Sequence, residues 1–249
     1  MASWKYGRGG GQLSKEAICT RILERHRATI DVRKDHVAIA NLERIIQATL
    51  KLSSKTGFQA MSMRELGKEA GISMGGLYVY VANKTVLLSM ILEEVVETMI
   101  DAMKAAPEEI AADPRAHLRW LIETHIRLSN EMVHWFVFAF LEVKSFPEAE
   151  RRYAIEAEER TGEILAGVLK RGMDEGIFVR RDADLTASLI KPMLQDWYVK
   201  RGKYRKRGTT MDEYIDAVIE LIEMPFVPGA AAERTVARDF GGARLSRDG

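Results

Sequence analysis

Apolar residues recur along most of this chain at three- and four-residue intervals, and strict apolar/polar alternation is nearly absent. The pattern predicts an all-α protein of about nine main helices. Leu42, Ile45, Ile46, Thr49 and Leu50 mark the first convincing amphipathic helix, and Gly57 supplies its stop. Two short helices are expected at 63–70 and 74–81, and Asn83 caps a longer one that runs through Met90, Ile91, Val95 and Met99 toward Pro107. Further helices are expected at 115–130, 131–143, 147–175, 182–200 and 211–224. Pro147 suits a first helical turn, Pro192 is expected to kink its helix, and Thr210 with Glu213 reads as a capping box. Beyond Pro225 the Ala/Gly/Arg-rich end has no period and is expected to fray.

Composition narrows the function classes. The chain has 249 residues with 47% apolar content, enough for a real core. Its 37 Lys+Arg against 36 Asp+Glu leave a net charge of +1, so any charge-driven function must be local. Residues 1–34 are such a place: Lys5, Arg8, Lys15, Arg21, Arg25, Arg27, Arg33 and Lys34 oppose only Glu16, Glu24 and Asp31. Ser14 can cap a short helix carrying Ile18 and Ile22, but the segment otherwise reads as a basic extension, either reaching a DNA minor groove or without function. A single cysteine, Cys19, excludes an internal disulfide framework and fits a reducing compartment. No apolar stretch follows the basic N-terminus, and the run 132–141 carries His134 and falls well short of the ~20 residues that cross a bilayer. The expectation is a cytoplasmic protein with no membrane partner.

The informative stretch is 62–84. Ser62 and Glu65 form a capping box, Gly71 permits the left-handed turn that ends that helix, and Ser73 caps the next. Two helices joined by so short a turn have the helix-turn-helix layout, whose second helix enters the DNA major groove. Leu66, Ala70, Ile72 and Leu77 are spaced to face inward, and Gly67 lets the helices approach. The outward face then presents Ser73, Met74, Gly75, Gly76, Tyr78 and Tyr80 to double-stranded DNA, with Arg64 able to reach a guanine or a phosphate and Lys84 adding a cation at the start of the following helix.

Over about 50 residues this pattern resembles the tetracycline-repressor (TetR) family of bacterial transcriptional regulators. Gly57-Phe58, Met63-Arg-Glu-Leu66, Ala70-Gly-Ile-Ser73, Leu77-Tyr78 and Tyr80-Val-Ala-Asn-Lys84 follow that family's motif in order and spacing, departing from it at Val81, where Phe is commoner, and at Gly67, where Ala is usual. The resemblance implies base contacts from Arg64, Met74, Gly75, Gly76 and Tyr78 and phosphate contacts from Tyr80 and Lys84. It also implies a larger C-terminal domain that binds an effector and forms a homodimer through helices 182–200 and 211–224, using Leu185, Leu189, Met193, Tyr214, Val218 and Leu221. A dimer reads a palindromic operator, and repression is the family's default. The expected division is thus 1–34 extension, 35–84 DNA-binding domain, 85–224 ligand-binding and dimerisation domain, 225–249 tail.

Trp120, His125, His134, Trp135, Phe136, Phe138, Phe140 and Tyr153 crowd the middle of the chain. They read as ordinary core aromatics or as the lining of an apolar pocket. Lys200, Arg201, Lys203, Arg205, Lys206 and Arg207 pack six cations into eight residues between two helices, either a solvated loop or a phosphate site. Asp-Trp-Tyr-Val-Lys-Arg at 196–201 is similar to segments of TetR-type regulators that sense CoA thioesters. The resemblance therefore implies a fatty or aromatic acyl-CoA as effector, with a free aromatic or lipophilic compound as the alternative. No metal-protease helix, P-loop, nucleophile elbow or dinucleotide fingerprint is present, so neither an enzyme nor a resident cofactor is expected. His117 and His125 can share a helical face but bring no further metal ligands. A helical protein-interaction module that binds no DNA is the remaining alternative.

Overall fold

The computed structural model describes residues 14–226, and within them every regular element is helical. The chain forms two compact units, one built from residues up to Ala105 with Arg127–Thr161, the other from Ala106–Ile126 with residues from Gly162 onward. The expected boundary at 84/85 is not where the units part. The long helix after the reading head is apolar nearly all round, so its burial ties it to that head.

The first unit begins earlier than the periodicity implies. Helix α1 (Lys15–Arg25) is capped by Ser14, whose hydroxyl accepts from the Ala17 N–H at 3.0 Å. It buries Ile18, Cys19, Ile22 and Leu23, and Ile30 is buried in the turn beyond. Full burial of such side chains contributes roughly 1.5–3 kcal/mol each, so residues 14–34 are part of the core rather than a free arm. Their cations are largely committed within the unit. Arg27 pairs with Asp35 at 2.9 Å and Lys15 lies 3.9 Å from Glu43. The expectation of an arm can concern only residues 1–13, outside the described residues.

Helix α1 packs on α2 (Asp35–Thr56) and on α5 (Lys84–Lys104). Thirteen of the 21 residues of α5 are buried, which makes it the axis of the unit. One of them is Glu94, fully enclosed and bound by Arg21 Nε at 2.9 Å, Arg25 Nη1 at 3.2 Å and the Thr98 hydroxyl at 3.1 Å. Two arginines one helical turn apart thus supply the hydrogen bonds and opposite charge that an enclosed carboxylate needs. Helices α3 (Met63–Ala70) and α4 (Met74–Tyr78) complete the reading head. Helix α4 stops at Tyr78, three residues short of the expected end.

The short helix α6 (Glu108–Ala111), not foreseen, precedes α7 (Pro114–Glu131). Helix α8 (Val133–Glu142) packs against α2 and α5, and α9 (Glu148–Asp174) follows a 3-10 turn at Val143–Ser145. The second unit adds α10 (Ala183–Val199), which runs through Pro192, then α11 (Arg201–Arg207) and α12 (Met211–Phe226). Here the same clamp recurs: Glu223, buried on α12, is held by Arg115 at 3.1 and 3.2 Å and by Arg119, one turn apart on α7. Trp197, Tyr204 and Tyr214 pack ring to ring, with centroids 4.7–5.5 Å apart. The Tyr214 hydroxyl donates to the Met193 carbonyl at 2.6 Å. Among the expected dimer residues, Val218 is 5% exposed and belongs to this core, since it faces inward on α12. Leu185, Leu189 and Leu221 are instead 58–64% exposed.

Candidate nucleic-acid interface

Local chemistry sets the head's geometry. The Ser62 hydroxyl accepts from the Glu65 N–H at 3.2 Å while the Glu65 carboxylate accepts from the Ser62 N–H at 2.8 Å, fixing the start of α3. The Ser62 bonds hold the Glu65 carboxyl below its ordinary range. Gly71 ends the helix at φ +64°, a left-handed conformation that favours glycine. Its carbonyl accepts from Arg44 Nη2 at 2.7 Å, and a Cβ there would lie only 2.6 Å from that nitrogen. At Gly67 a Cβ would meet the Ile72 carbonyl oxygen at 3.0 Å, so the absence of a side chain does bring the two helices close. Ser73 then caps α4, accepting from the Gly76 N–H at 3.2 Å.

The result is a short helix with Leu77 buried beneath it and an outer surface of Ser73, Met74, Gly75, Tyr78 and Val79. Met74 and Tyr78 are 37% and 50% exposed. Nothing lies within 4 Å of a Cβ built on Gly75, which leaves the backbone there open to a ligand edge, while Gly76 sits against Ile72 and the Ser73 hydroxyl. Arg64 is exposed at the start of α3.

Two of the expected phosphate residues are placed differently. Tyr80 is buried, with its hydroxyl accepting from Asn41 Nδ2 at 2.9 Å, because its ring fills the gap between α2 and the end of the recognition segment. It braces the head instead of standing on its surface. Lys84 is half-buried: its ammonium donates to the Gln59 carbonyl at 2.8 Å and sits 5.0 Å from the centre of the Phe58 ring. Burial lowers the Lys84 pKa, and the nearby Glu142 carboxylate opposes that shift.

A further feature of this unit escaped the sequence reading. Glu142, at the end of α8, accepts from the Ser53 hydroxyl at 2.9 Å and from the Phe58 N–H at 3.0 Å. One turn earlier, Phe138 meets the Phe58 ring edge-on with centroids 5.4 Å apart. The only hint in the sequence is the i, i+4 pairing of Phe138 with Glu142, and neither type alone signals a partner in the loop before α3.

The expected ligand residues are divided between the two units. His134, Trp135, Phe138 and Tyr153 lie in the first unit, while Trp120, His125 and the 200–205 cations lie in the second. Phe138 is buried, with its ring packed between those of Phe58 and Phe146. His134 is exposed and Trp135 half-buried. Tyr153 donates to Glu97 at 3.5 Å, and burial together with that carboxylate raises its pKa to about 12. Trp120 is half-buried beside His117 at 6.4 Å. His125 is enclosed, and burial followed by the Lys191 charge brings its pKa down to about 3, so it is neutral at physiological pH. The basic stretch is helix α11 rather than a loop, pinned by buried Tyr204, whose hydroxyl bonds Asp196. Burial works to raise the Asp196 pKa, but bonds from Lys200 and Tyr204 prevail and lower it. Lys200 pairs with this carboxylate and Lys203 lies 3.7 Å from it; both, like Arg201 and Arg205, are exposed. Among the described residues, no group of three or more His, Cys, Asp or Glu could hold a metal ion, and no helix is long and apolar enough to cross a membrane.

Residues 45–91 match the family profile "Bacterial regulatory proteins, tetR family", and residues 111–222 match "Tetracyclin repressor-like, C-terminal domain". The chain belongs to the TetR family of transcriptional regulators. Among curated relatives, the Bacillus subtilis (strain 168) HTH-type transcriptional regulator YerO is 35% identical, over 29% of this chain. It spans only a quarter of that protein's length. The Bacillus subtilis (strain 168) fatty acid metabolism regulator protein is 24% identical over 64% of this chain and 84% of its own. Among solved structures, PfmR from Thermus thermophilus superposes with a TM-score of 0.61 at 26% identity, covering 73% of this chain and 96% of PfmR. AibR, solved with isovaleryl coenzyme A and operator DNA, gives a TM-score of 0.63 at 18% identity over 75% of this chain and all of AibR, a likeness of fold.

Proposed function

We propose that this TetR-family regulator is a repressor that binds a palindromic operator as a homodimer and is released by a fatty or aromatic acyl-CoA thioester. The observation that carries the DNA half is the exposed α4 surface of Met74, Gly75 and Tyr78, with Arg64 beside it, held by the Ser62, Gly71 and Ser73 caps. In this reading Arg64, Met74 and Tyr78 meet base edges or phosphates, and the small residues Ser73, Gly75 and Gly76 admit the groove wall.

Leu185, Leu189, Leu221 and Met224 stand at least half exposed on α10 and α12, and an apolar face of that kind is what a second copy covers. Two heads related by a two-fold axis then fall on half-sites one helical turn, or a multiple of it, apart. For the effector, support comes from the likeness to the fatty acid metabolism regulator and from the exposed Arg201 and Arg205, guanidinium groups suited to phosphate. A free aromatic or lipophilic compound is the second reading, favoured by Lys200 and Lys203 lying against Asp196.

An operator-shift assay with oleoyl-CoA, benzoyl-CoA and the two free acids tests the effector. Release by a thioester and not by its acid is the expected result. Release by the acid alone returns the exposed arginines to a solvated face.

A further inference from the structure

Three charged groups of this structure lie outside the reading surface: the Arg–Glu94 clamp and the Glu142 contact in the first unit, and the Arg–Glu223 clamp in the second. Of these, only the Glu142 contact joins a helix of the C-terminal half of the sequence directly to the loop that opens the helix-turn-helix. We infer that Glu142 is a positioning residue through which α8 sets the readiness of the DNA-reading head, acting on the Phe58 amide, the Ser53 hydroxyl and Lys84. This rests on the proposed DNA-binding role and adds a coupling residue to it.

The geometry is specific. Phe138 and Glu142 stand four residues apart, hence on one face of α8, and both engage the same loop residue. Phe138 meets the Phe58 ring at 5.4 Å and Glu142 accepts the Phe58 N–H at 3.0 Å. That N–H follows Gly57, the residue that ends α2, and the Ser53 hydroxyl bonded to the same carboxylate oxygen comes from the last turn of α2. Phe58 is 2% exposed, so the loop has few alternatives to this seat. Its ring in turn lies under the Lys84 ammonium, which also donates to Gln59. A displacement of α8 therefore changes the Phe58 seat, and with it the Lys84 support and the loop that leads into α3. Coupling is reciprocal, so DNA held by the head must also steady α8.

The test uses the full chain and a duplex that it selects from a random-sequence pool, with amide hydrogen exchange followed in α8. In the wild type, duplex binding is expected to slow exchange across 133–142. Glu142→Ala, which removes both hydrogen bonds, is expected to abolish that slowing while still binding the duplex at saturating concentration. Glu142→Gln, whose amide oxygen can take both hydrogen bonds, is expected to restore it. A wild type with no change in α8 on binding, or a Glu142→Ala chain that keeps the slowing, overturns the inference. Where Glu142→Ala loses helical content, Ser53→Ala reads the same link, with the slowing expected to fall at least twofold and an unchanged slowing overturning it. Gel shift on the same samples separates the readings: a wild type that binds no duplex overturns the DNA-binding role and this coupling with it.

Discussion

At Gly71 one residue carries two constraints, a backbone at φ +64° and an arginine nitrogen where a side chain would stand. Gly71→Ala is expected to cost about 1–3 kcal/mol, because alanine resists that conformation and Arg44 must leave the carbonyl it now holds. Urea unfolding of the two chains measures it, and a difference under about 0.5 kcal/mol is the ordinary surface value that contradicts the argument. Gly71, Ser62, Glu65 and Ser73 were legible in the sequence because each acts within three or four residues of itself. Tyr80 and Lys84 were not legible in the same way. A tyrosine at the end of a recognition segment reads as a surface group until Asn41, 39 residues earlier, is found bonded to its hydroxyl.

Between elements, the recurring device is a carboxylate enclosed by arginines one turn apart. Such a pair is invisible to local reading: Arg21 and Glu94 are 73 residues apart, and Arg115 and Glu223 are 108 apart. That distance explains why α1 reads as a basic arm. Helix α11 was missed for a related reason, since six cations in eight residues suggest a loop until Tyr204 is seen buried beneath them. The periodic helices α7, α9, α10 and α12 were legible to within about two residues, and α2 at its C-terminal end, because burial of one face sets their pattern. The enclosed groups also fix the response to acid. His125 has a folded-state pKa of about 3 against the ordinary 6.5, so as pH falls below 6.5 the unfolded chain gains a proton that the folded chain does not. Stability is thus lost in that window. Arginine contacts hold the Glu223 carboxyl below its ordinary value of 4.5 despite burial, so its contribution is full above that value and fades only at lower pH. Between pH 7 and 5 the His125→Gln chain is expected to lose less melting temperature than the wild type; parallel declines contradict this assignment.

For the whole molecule, family membership and the helix-turn-helix expectation agree, and the chain's own residues supply the reading surface. The effector region was less legible. Its residues come from many helices, and aromatic types that line a pocket are the same types that fill a core, as Phe138 does. The central claim is that α4 reads DNA sequence. Its most direct test is an equilibrium titration, at one fixed salt concentration, of wild type and Tyr78→Ala against the selected duplex and a scrambled one. The account predicts that the wild type prefers the selected duplex by about a thousandfold or more. It also predicts that Tyr78→Ala weakens that binding about tenfold while the melting temperature stays put. Equal affinity for the two duplexes, or a Tyr78→Ala chain that binds as tightly as the wild type, contradicts it.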